Sequence, residues 1–339
     1  MGIKVREPTF TLTYDTEDIT ADISKLLVEL NYTDVFDSES DEISIKVENT
    51  QGQWMHQWYP ELGAKLKLKM GYKNEPLIEC GDFEIDEIDF SHPPSQVSIK
   101  ALATGVSTTQ RTRFGRAYDD KDLKTIAEEI AAENELTIEG QIEDIKFRRI
   151  TQAHENDLGF LERLANDFGY GFSIKDKKLV FIKYEDLKKQ GAIDSIDIQN
   201  PENVISWTLK DKIKDIAEDA KVSYFDPEKR QTFTEQTDKV TAYKTSRDQL
   251  KLNNRSENAE HAKKKAQAAL DKQNEDKSTG SITVPGNPKL VAGANVTIEN
   301  AGPLSGKWQI SSSTHSMTSS GYTTSIAIKK VYGEQILLN

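Results

Sequence analysis

Apolar and polar positions alternate with a period of two over much of the first hundred residues. Apolar side chains alternate with lysines over residues 64–70 and with other polar residues over residues 43–48. This period places one face of a strand in a core and the other face in solvent. Near Glu87 the apolar phase slips by one residue, which predicts a β-bulge. With a further strand over residues 97–103, the region is expected to form antiparallel sheet.

The pattern becomes mixed between residues 106 and 200. Leu123, Ile126 and Ile130 lie at helical spacing and predict an amphipathic helix, with Asp119 or Asp120 as its N-cap. Helices that alternate with short strands are typical of an α/β layer structure.

Residues 149–182 contain a complete strand, helix, strand unit. Apolar residues at helical spacing from Leu158 to Phe168 predict the helix. Asn156 is the predicted N-cap, and Gly169 stands where a left-handed C-terminal cap is needed. After Gly169 the period shortens to two, which predicts a pair of strands.

Strand patterns resume after Pro201 and return in residues 278–331. Between them, residues 232–254 lack core-forming periodicity and are predicted to be a mobile polar passage. A helix follows over residues 259–270, with Lys263 to Lys265 predicted to face solvent. Its narrow stripe of small apolar residues consists of Ala259, Ala262, Ala266, Ala269 and Leu270.

The chain is therefore predicted to divide into three domains, because 339 residues exceed one ordinary core. The first is strand-rich and covers residues 1–105, and an α/β domain covers residues 106–200. The third is again strand-rich and covers residues 201–339, with a polar and helical insertion at about residues 230–277. Each strand-rich domain is expected to be a small barrel or sandwich. No residue-level repeat is evident between the two.

Composition narrows the functional classes. The formal net charge of −12 at pH 7 removes the attraction to phosphate that drives nucleic-acid binding, so no sequence-specific nucleic acid is expected as a partner. No apolar run approaches the roughly 20 residues that cross a bilayer, and the N-terminus lacks a signal-peptide core. Cytosolic synthesis without membrane insertion is expected. The single cysteine, Cys80, excludes an internal disulfide and is expected to be buried.

Residues that could support catalysis are present but badly arranged. The five histidines show no zinc-protease spacing. Glu155, Asp157 and Glu162 lie close together in sequence, and paired carboxylates serve glycoside hydrolysis. However, Asp157 and Glu162 are five residues apart, which points them in different directions on a helix. No catalytic residue is therefore predicted.

Nucleotide and cofactor motifs are incomplete as well. Gly302, Gly306 and Lys307 resemble a phosphate loop, but three residues separate the glycines where four are required, and Trp308 replaces the hydroxyl residue that holds magnesium. Glycines 169 and 171 lack the third glycine of a dinucleotide site. No cofactor is predicted.

Some residues resemble parts of metal and carbohydrate sites. A calcium-loop pattern of acidic residues runs through residues 37–48, but Glu42 occupies the position that requires glycine, so no metal is predicted. Trp54 and Trp58 could stack on a sugar or a base. Packing at the end of a barrel is the favoured interpretation, since large aromatic residues dominate cores and interfaces.

The segment over residues 149–182 also resembles the most recognisable stretch of the phage late control gene D protein family. Its members form the hub of contractile-tail baseplates. Further sequence similarity to this family occurs at residues 81–90, 259–270, 291–298 and 306–328, in the same order and spacing as in the family. The residues that carry the central motif are Asn156, Asp157, Phe160, Leu161, Arg163, Leu164, Ala165, Phe168, Gly169 and Tyr170.

This resemblance implies a β-rich α+β fold in which two small antiparallel β-barrels flank an α/β region, with a helix inserted in the second barrel. It also implies a homotrimeric structural hub, similar to the N-terminal part of type VI secretion spike proteins. Three subunits would place six barrels around an axial channel. The hub would join a sixfold tail tube to a threefold central spike in a contractile phage tail or a phage-tail-like injection device.

The resemblance implies partners and a location too. The expected partners are a tail tube or tube-initiator protein, a trimeric tail spike and other baseplate proteins. Because the chain ends at Asn339 without a needle domain, the spike is expected to be a separate polypeptide. The protein is expected in the virion baseplate after assembly in the bacterial host cytoplasm.

Two other functions stay open at this point. The α/β region could hydrolyse glycan or peptide, as a tail-associated peptidoglycan hydrolase does. Alternatively, the chain could be a monomeric cell-surface binding module that uses exposed aromatic residues.

Overall fold

The computed structural model describes residues 6–36, 40–103, 113–175, 177–226, 230–237, 248–253 and 256–332. Strands predominate over helices in these ranges, which confirms the β-rich α+β fold. The apolar side chains collect in four separate buried clusters, so the described residues form four cores.

Seven strands near the start of the chain form what we call lobe 1, together with the short helix α1 (Thr20–Ser24). Across the sheet they lie in the order β2-β1-β5-β6-β7-β4-β3, with antiparallel neighbours. The strands are β1 (Pro8–Tyr14), β2 (Glu17–Asp18), β3 (Leu27–Val35), β4 (Glu42–Glu48), β5 (Lys65–Tyr72), β6 (Ile78–Ser91) and β7 (Gln96–Ala103).

The alternation seen in the sequence of lobe 1 is confirmed. In β4 and β5 the apolar residues are buried and the intervening polar residues are more exposed. The register of β6 against β7 shifts between Ile85 and Glu87, which confirms the predicted bulge. Cys80 is buried, as expected.

The middle region consists of two small sheets and three helices. One sheet pairs β8 with β10, and the other has the order β11-β12-β9. The elements are β8 (Arg113–Asp122), α2 (Leu123–Glu133), β9 (Thr137–Gly140), β10 (Lys146–Asn156), α3 (Asp157–Asp167), β11 (Tyr170–Lys175), β12 (Lys178–Lys183) and α4 (Tyr184–Lys189). Helices α2 and α3 bury their apolar faces in one shared cluster with the strands.

The remaining elements form what we call lobe 2 and an inserted layer. Lobe 2 contains β13 (Ala192–Asp197), β14 (Ser206–Asp211), β18 (Ser278–Pro285), β19 (Asn295–Glu299), β20 (Gly306–Thr318) and β21 (Gly321–Lys330). The inserted layer lies between β14 and β18 in sequence and contains β15 (Ala217–Asp226), β16 (Gln231–Gln236), β17 (Asp248–Leu252) and α5 (Ala259–Asn274).

One continuous sheet of 13 strands joins the two lobes. Strand β20 pairs with β21 along one edge. Its other edge pairs first with β19 of lobe 2 and then, from Ser312 to Thr318, with β3 of lobe 1. The strand pairs of the described residues leave this sheet open, so the two closed barrels stay a prediction.

The lobes repeat the same strand order. Lobe 1 has β1-β5-β6-β7-β4-β3, and lobe 2 has β13-β19-β20-β21-β18-β14, with matching connections along the chain. The outermost pair differs, because β1 is antiparallel to β5 whereas β13 is parallel to β19. The repeated order indicates that the two lobes are versions of one unit.

Hydrogen bonds show the repeat at the level of residues. The amide of Gly63 donates to the carbonyl of Ile85 at 2.8 Å, and the amide of Gly293 donates to that of Ile310, also at 2.8 Å. Both glycines are left-handed, with φ of 83° and 84°. A bulge follows Ile85 in β6 and Ile310 in β20. The family resemblance implies two barrels, but this residue-level repeat was not predicted from the sequence.

Several local predictions need correction. The N-cap of α2 is Asp122, whose carboxylate accepts from the amide of Thr125, and not Asp119 or Asp120. Part of the passage predicted to lack structure forms strands β16 and β17, while residues 238–247 lie outside the described ranges.

Helix α5 confirms the predicted helix but buries a different set of residues. Ala259 is exposed, and Lys265 does not face solvent freely, because its side chain is 12% exposed and its Nζ lies 2.7 Å from Asp167. The buried residues of the helix are His261, Ala262, Ala266, Ala268, Leu270 and Asn274. No described helix is both long and apolar enough to cross a bilayer.

The caps predicted for α3 are confirmed and can be tested. Asn156 Oδ1 accepts from the amide of Gly159 at 2.7 Å, and Gly169 is left-handed with φ of 77°. Replacing Asn156 with alanine leaves that amide unpaired, so the free energy of unfolding should fall by about 1 kcal/mol. Urea denaturation measures the change. Thr151→Ala at an exposed site of β10 is the control, and an equal loss in both variants would contradict the capping role.

Candidate functional site

Lobe 1, lobe 2 and the middle region meet at the carboxylate of Asp34, on β3. Lys175, the last residue of β11, donates a short hydrogen bond to Oδ1, and the amide of Ala292 in lobe 2 donates to Oδ2 at 2.7 Å. The Lys175 Nζ also lies 3.4 Å from Oδ2 of Asp41. The side chains of Asp34 and Asp41 are only 4% and 8% exposed. One buried group therefore connects three parts of the chain.

The charges at this junction do not cancel, since two carboxylates share one ammonium. Burial raises the pKa of the Asp41 carboxyl, and Lys175 opposes that shift. Burial by itself would lower the pKa of Lys175, but Asp34 and Asp41 outweigh it and the pKa is raised. Lys175 is therefore charged at neutral pH, and its ammonium is the group that makes two buried carboxylates tolerable.

A fully buried histidine, His315, lies next to this junction on β20. Its Nε2 is 3.1 Å from the carbonyl of Leu290, and its Nδ1 is 2.7 Å from the hydroxyl of Tyr322. A carbonyl can only accept, so Nε2 carries the hydrogen and Nδ1 accepts from Tyr322. Burial lowers the pKa of His315 to about 4. The ring is therefore neutral and positions strands of both lobes, because it stacks on Tyr32 of β3 at 5.9 Å.

Two of the three carboxylates considered for hydrolysis, Asp157 and Glu155, are held in ion pairs. Asp157 is buried and accepts from Arg116 and from the amide nitrogen of Gln152, the latter at 2.9 Å. Glu155 accepts from Arg163 Nε at 3.0 Å, and Glu162 is half-exposed on α3. These contacts tie β8, β10 and α3 together, which is a structural role.

The remaining candidate residues are also placed by packing. His261 on α5 packs edge-on against Phe147 and Phe168, and burial lowers its pKa. Trp54 is buried and makes an edge contact with Trp58, which is 40% exposed. Within the described ranges, no group of three or more histidine, cysteine or acidic side chains could hold a metal ion.

Among the open strand edges in the described ranges, one in each lobe carries an aromatic residue. Strand β14 ends the sheet at lobe 2, and its Trp207 is 48% exposed. In lobe 1, residues of β6 beyond Ile85 pair with β7 alone, and Phe90 there is half-buried beneath Tyr59, with ring centroids 6.0 Å apart. An open edge with apolar residues is a template for pairing with another chain.

The sequence analysis missed the junction residues Asp34, Lys175 and His315. The sequence contains one weak signal for Asp34. Leu30, Tyr32 and Asp34 occupy every second position of β3, as buried residues do, so Asp34 is a charged residue at a core position. Its partner Lys175 lies 141 residues away, and no local pattern marks it.

The fold is that of known tail proteins. The 43 kDa tail protein of prophage MuSo2 from Shewanella oneidensis superposes with a TM-score of 0.74 over 95% of this chain and 98% of that chain, at 14% identity. An Escherichia coli protein described as a component of the type VI secretion system superposes with a TM-score of 0.55 over 97% of this chain and 77% of that chain, at 10% identity. The shared architecture defines a class of phage tail and secretion proteins.

Sequence comparison identifies the family. The family model of the phage tail baseplate hub (GPD) matches residues 86–321. A protein of Escherichia phage 186 named "Probable baseplate hub protein" is 33% identical over 178 residues, which is 52% of this chain and 45% of that protein. The chain belongs to the phage tail baseplate hub family, which confirms the resemblance found in its sequence. The alignment spans less than half of the length of this curated relative.

Proposed function

We propose that this chain is a structural subunit of the baseplate hub in a contractile phage tail or a phage-tail-like injection device. The observation that carries the proposal is the pair of lobes with one strand order, joined in a single sheet through β20 and β3. Two equivalent units in one chain allow a ring of three chains to present six similar surfaces. No step of bond-making chemistry is required for this role.

In the proposed assembly, three copies surround an axial channel. Each lobe closes into a small barrel, the first within residues 1–105 and the second within residues 201–339, and the α/β domain of residues 106–200 lies between them. Strand β13, which precedes residue 201, adds to the second barrel. The six barrels match a sixfold tail tube, and the three chains match a threefold spike. A closed ring leaves no unsatisfied end.

The proposed partners follow from this geometry. A tail tube or tube-initiator protein binds one side of the ring, a separate trimeric tail spike binds the other, and further baseplate proteins bind outside. The acidic charge of −12 suits a channel wall, because such a wall does not capture the phosphates of passing DNA. The proposed location is the tail baseplate of the virion.

Molar mass and particle symmetry test the proposal. Light scattering should give the mass of three subunits for the purified chain and, with its spike protein, that mass plus the mass of one spike trimer. Electron-microscopy images along the axis should show six similar densities with true threefold symmetry. A particle with the spike bound that has any other symmetry would contradict the proposal.

A second assay separates the hub from the hydrolase. The chain should release no fragments from purified peptidoglycan, since Asp157 and Glu155 are engaged by arginines. Turnover that is lost in the variant Glu155→Gln or Glu162→Gln would overturn the structural role.

A further inference from the structure

The contact between the lobes has two halves, which are strand segments, and each segment has an equivalent in the other lobe. Strand β3 supplies one half, and its equivalent in lobe 2 is the edge strand β14. The second half is the part of β20 from Ser312 onward, and its equivalent in lobe 1 is the part of β6 from Glu87 onward. In lobe 2 this part is covered by β3. In lobe 1 no described strand covers it.

The register of the ladders fixes which residues correspond. In lobe 1 one row of paired residues crosses four strands through Leu30, Ile45, Ile99 and Ile88. In lobe 2 the corresponding row consists of Trp207, Ile282, Ile326 and Ser313. Ser313 of β20 thus corresponds to Ile88 of β6, and Leu30 of β3 corresponds to Trp207 of β14. The bulges after Ile85 and Ile310 agree with this alignment.

Exposure differs between the equivalent positions. Leu30 and Tyr32 on β3 are buried, whereas their equivalents Trp207 and Leu209 on β14 are exposed and half-exposed. On the other half, His315 is fully buried, whereas its equivalent Phe90 is half-exposed. The positions at the contact between the lobes are therefore less buried at both equivalent sites, where the residues are apolar.

The uncovered halves are complementary in charge when they are paired as β3 and β20 are. That register opposes Asp89 to Lys210 and Glu87 to Lys212, and it opposes Phe90 to Leu209. All four charged side chains are at least partly exposed. Opposite charges directly across a strand pair stabilise it, and like charges destabilise it. Both charged pairs in this register are favourable.

We propose that β14 of one subunit pairs antiparallel with residues 87–91 of β6 in a neighbouring copy of this chain, and so repeats between subunits the contact that β3 and β20 make within one. Pro93 lacks an amide hydrogen and ends the pairing beyond Ser91. The interface is heterologous, since it joins two different surfaces, and it builds a ring when the rotation between copies closes. Tyr59, which is 52% exposed, extends its apolar area beside Phe90. The inference deepens the proposed hub and rests on it.

Mixing two variants that each gain one exposed cysteine, beside the buried Cys80, tests the pairing. Ser91 is opposed to Thr208 in the proposed register, and cross-strand Cα distances of about 4.5–5.5 Å allow a disulfide. Ser91→Cys and Thr208→Cys subunits, mixed and oxidised, should give a covalent dimer on a non-reducing gel. A mixture of Glu84→Cys with Thr208→Cys should not, because Glu84 is exposed on the same strand where β5 already covers the edge. Equal yields from both mixtures, or no dimer from the first, would overturn the pairing.

A charge exchange tests the same register without cysteine. Lys210→Glu places like charges opposite each other and should weaken self-association about tenfold or more. The double variant Asp89→Lys, Lys210→Glu should restore it, while Lys124→Glu, exposed on α2, should leave it unchanged. Association that is unaffected by Lys210→Glu, or not recovered in the double variant, would refute the pairing.

The outcomes also separate this inference from the proposed function. A threefold ring that forms without the cross-link between residues 91 and 208 would refute the strand pairing and leave the hub standing. Cross-linked rings of another symmetry would support the strand pairing and refute the trimeric hub.

Discussion

Replacing Lys175 with methionine is expected to lower the free energy of unfolding by about 3–5 kcal/mol, because breaking a buried ion pair leaves uncompensated charge. Methionine retains most of the side-chain volume but removes the ammonium. Asp34 and Asp41 would then be two buried carboxylates with no cation between them. Thermal and urea denaturation at neutral pH measure the loss.

Lys178→Met is the matched control. Lys178 lies three residues away and pairs with Glu139 at 3.1 Å, but both side chains are more than half exposed. An exposed pair contributes less than about 1 kcal/mol. Adding Asp34→Asn to Lys175→Met should recover part of the lost stability, since one buried charge is removed. A Lys175→Met variant as stable as the control would show that the junction does not depend on its ammonium.

The stability of the protein is expected to fall steeply between pH 6.5 and pH 4 because of His315. Its pKa is about 4 in the folded chain, against about 6.5 in an unfolded one, so the unfolded state binds more protons in this window. A depressed pKa gives stability that is complete above pH 6.5 and is lost as the pH falls toward 4. The difference amounts to about 3 kcal/mol.

Urea midpoints measured across this range for the wild type and His315→Gln test the assignment. The urea midpoint of the variant should depend less on pH, because glutamine does not titrate. This expectation holds whatever the stability of the variant at neutral pH. The exposed His56→Gln is the control and should retain the wild-type slope. Parallel curves for the wild type and His315→Gln would show that another group causes the loss.

Elements whose pattern is local could be predicted from the sequence. Helix α3 has its N-cap and its glycine within one stretch, and the bulge of β6 shows as a slip in apolar phase. Both signals arise from side-chain periodicity and backbone geometry over a few residues. The central family motif lies in this same region, so one segment predicted both the local structure and the family.

Strands β16 and β17 of the inserted layer were missed because only Phe233, Leu250 and Leu252 among their residues pack against an apolar core, and polar side chains also join these strands. Asp219 on β15 accepts from the side-chain amides of Gln236 on β16 and Gln249 on β17, at 2.9 and 2.8 Å. Hydrogen bonds of this kind hold neighbouring strands together without a pattern of buried carbon. A search for alternating apolar residues cannot detect them.

The repeat and the junction were missed for a different reason. Phe83 and Trp308 occupy equivalent buried positions but share only size and aromaticity, and the equivalents His315 and Phe90 share still less. What the lobes have in common is backbone geometry, set by left-handed glycines and by bulges. Such features become visible once the strand pairs are known.

The pairing of β3 with β20 has a consequence for how the chain is made. The hydroxyls of Thr33 and Thr314, which meet across these strands at 3.3 Å, are 281 residues apart in sequence. During synthesis the edge of β3 stays unpaired until nearly the whole polypeptide has left the ribosome. Exposed edges of this kind are sites of aggregation in nascent chains. The N-terminal lobe is therefore expected to be prone to aggregation for most of the translation time.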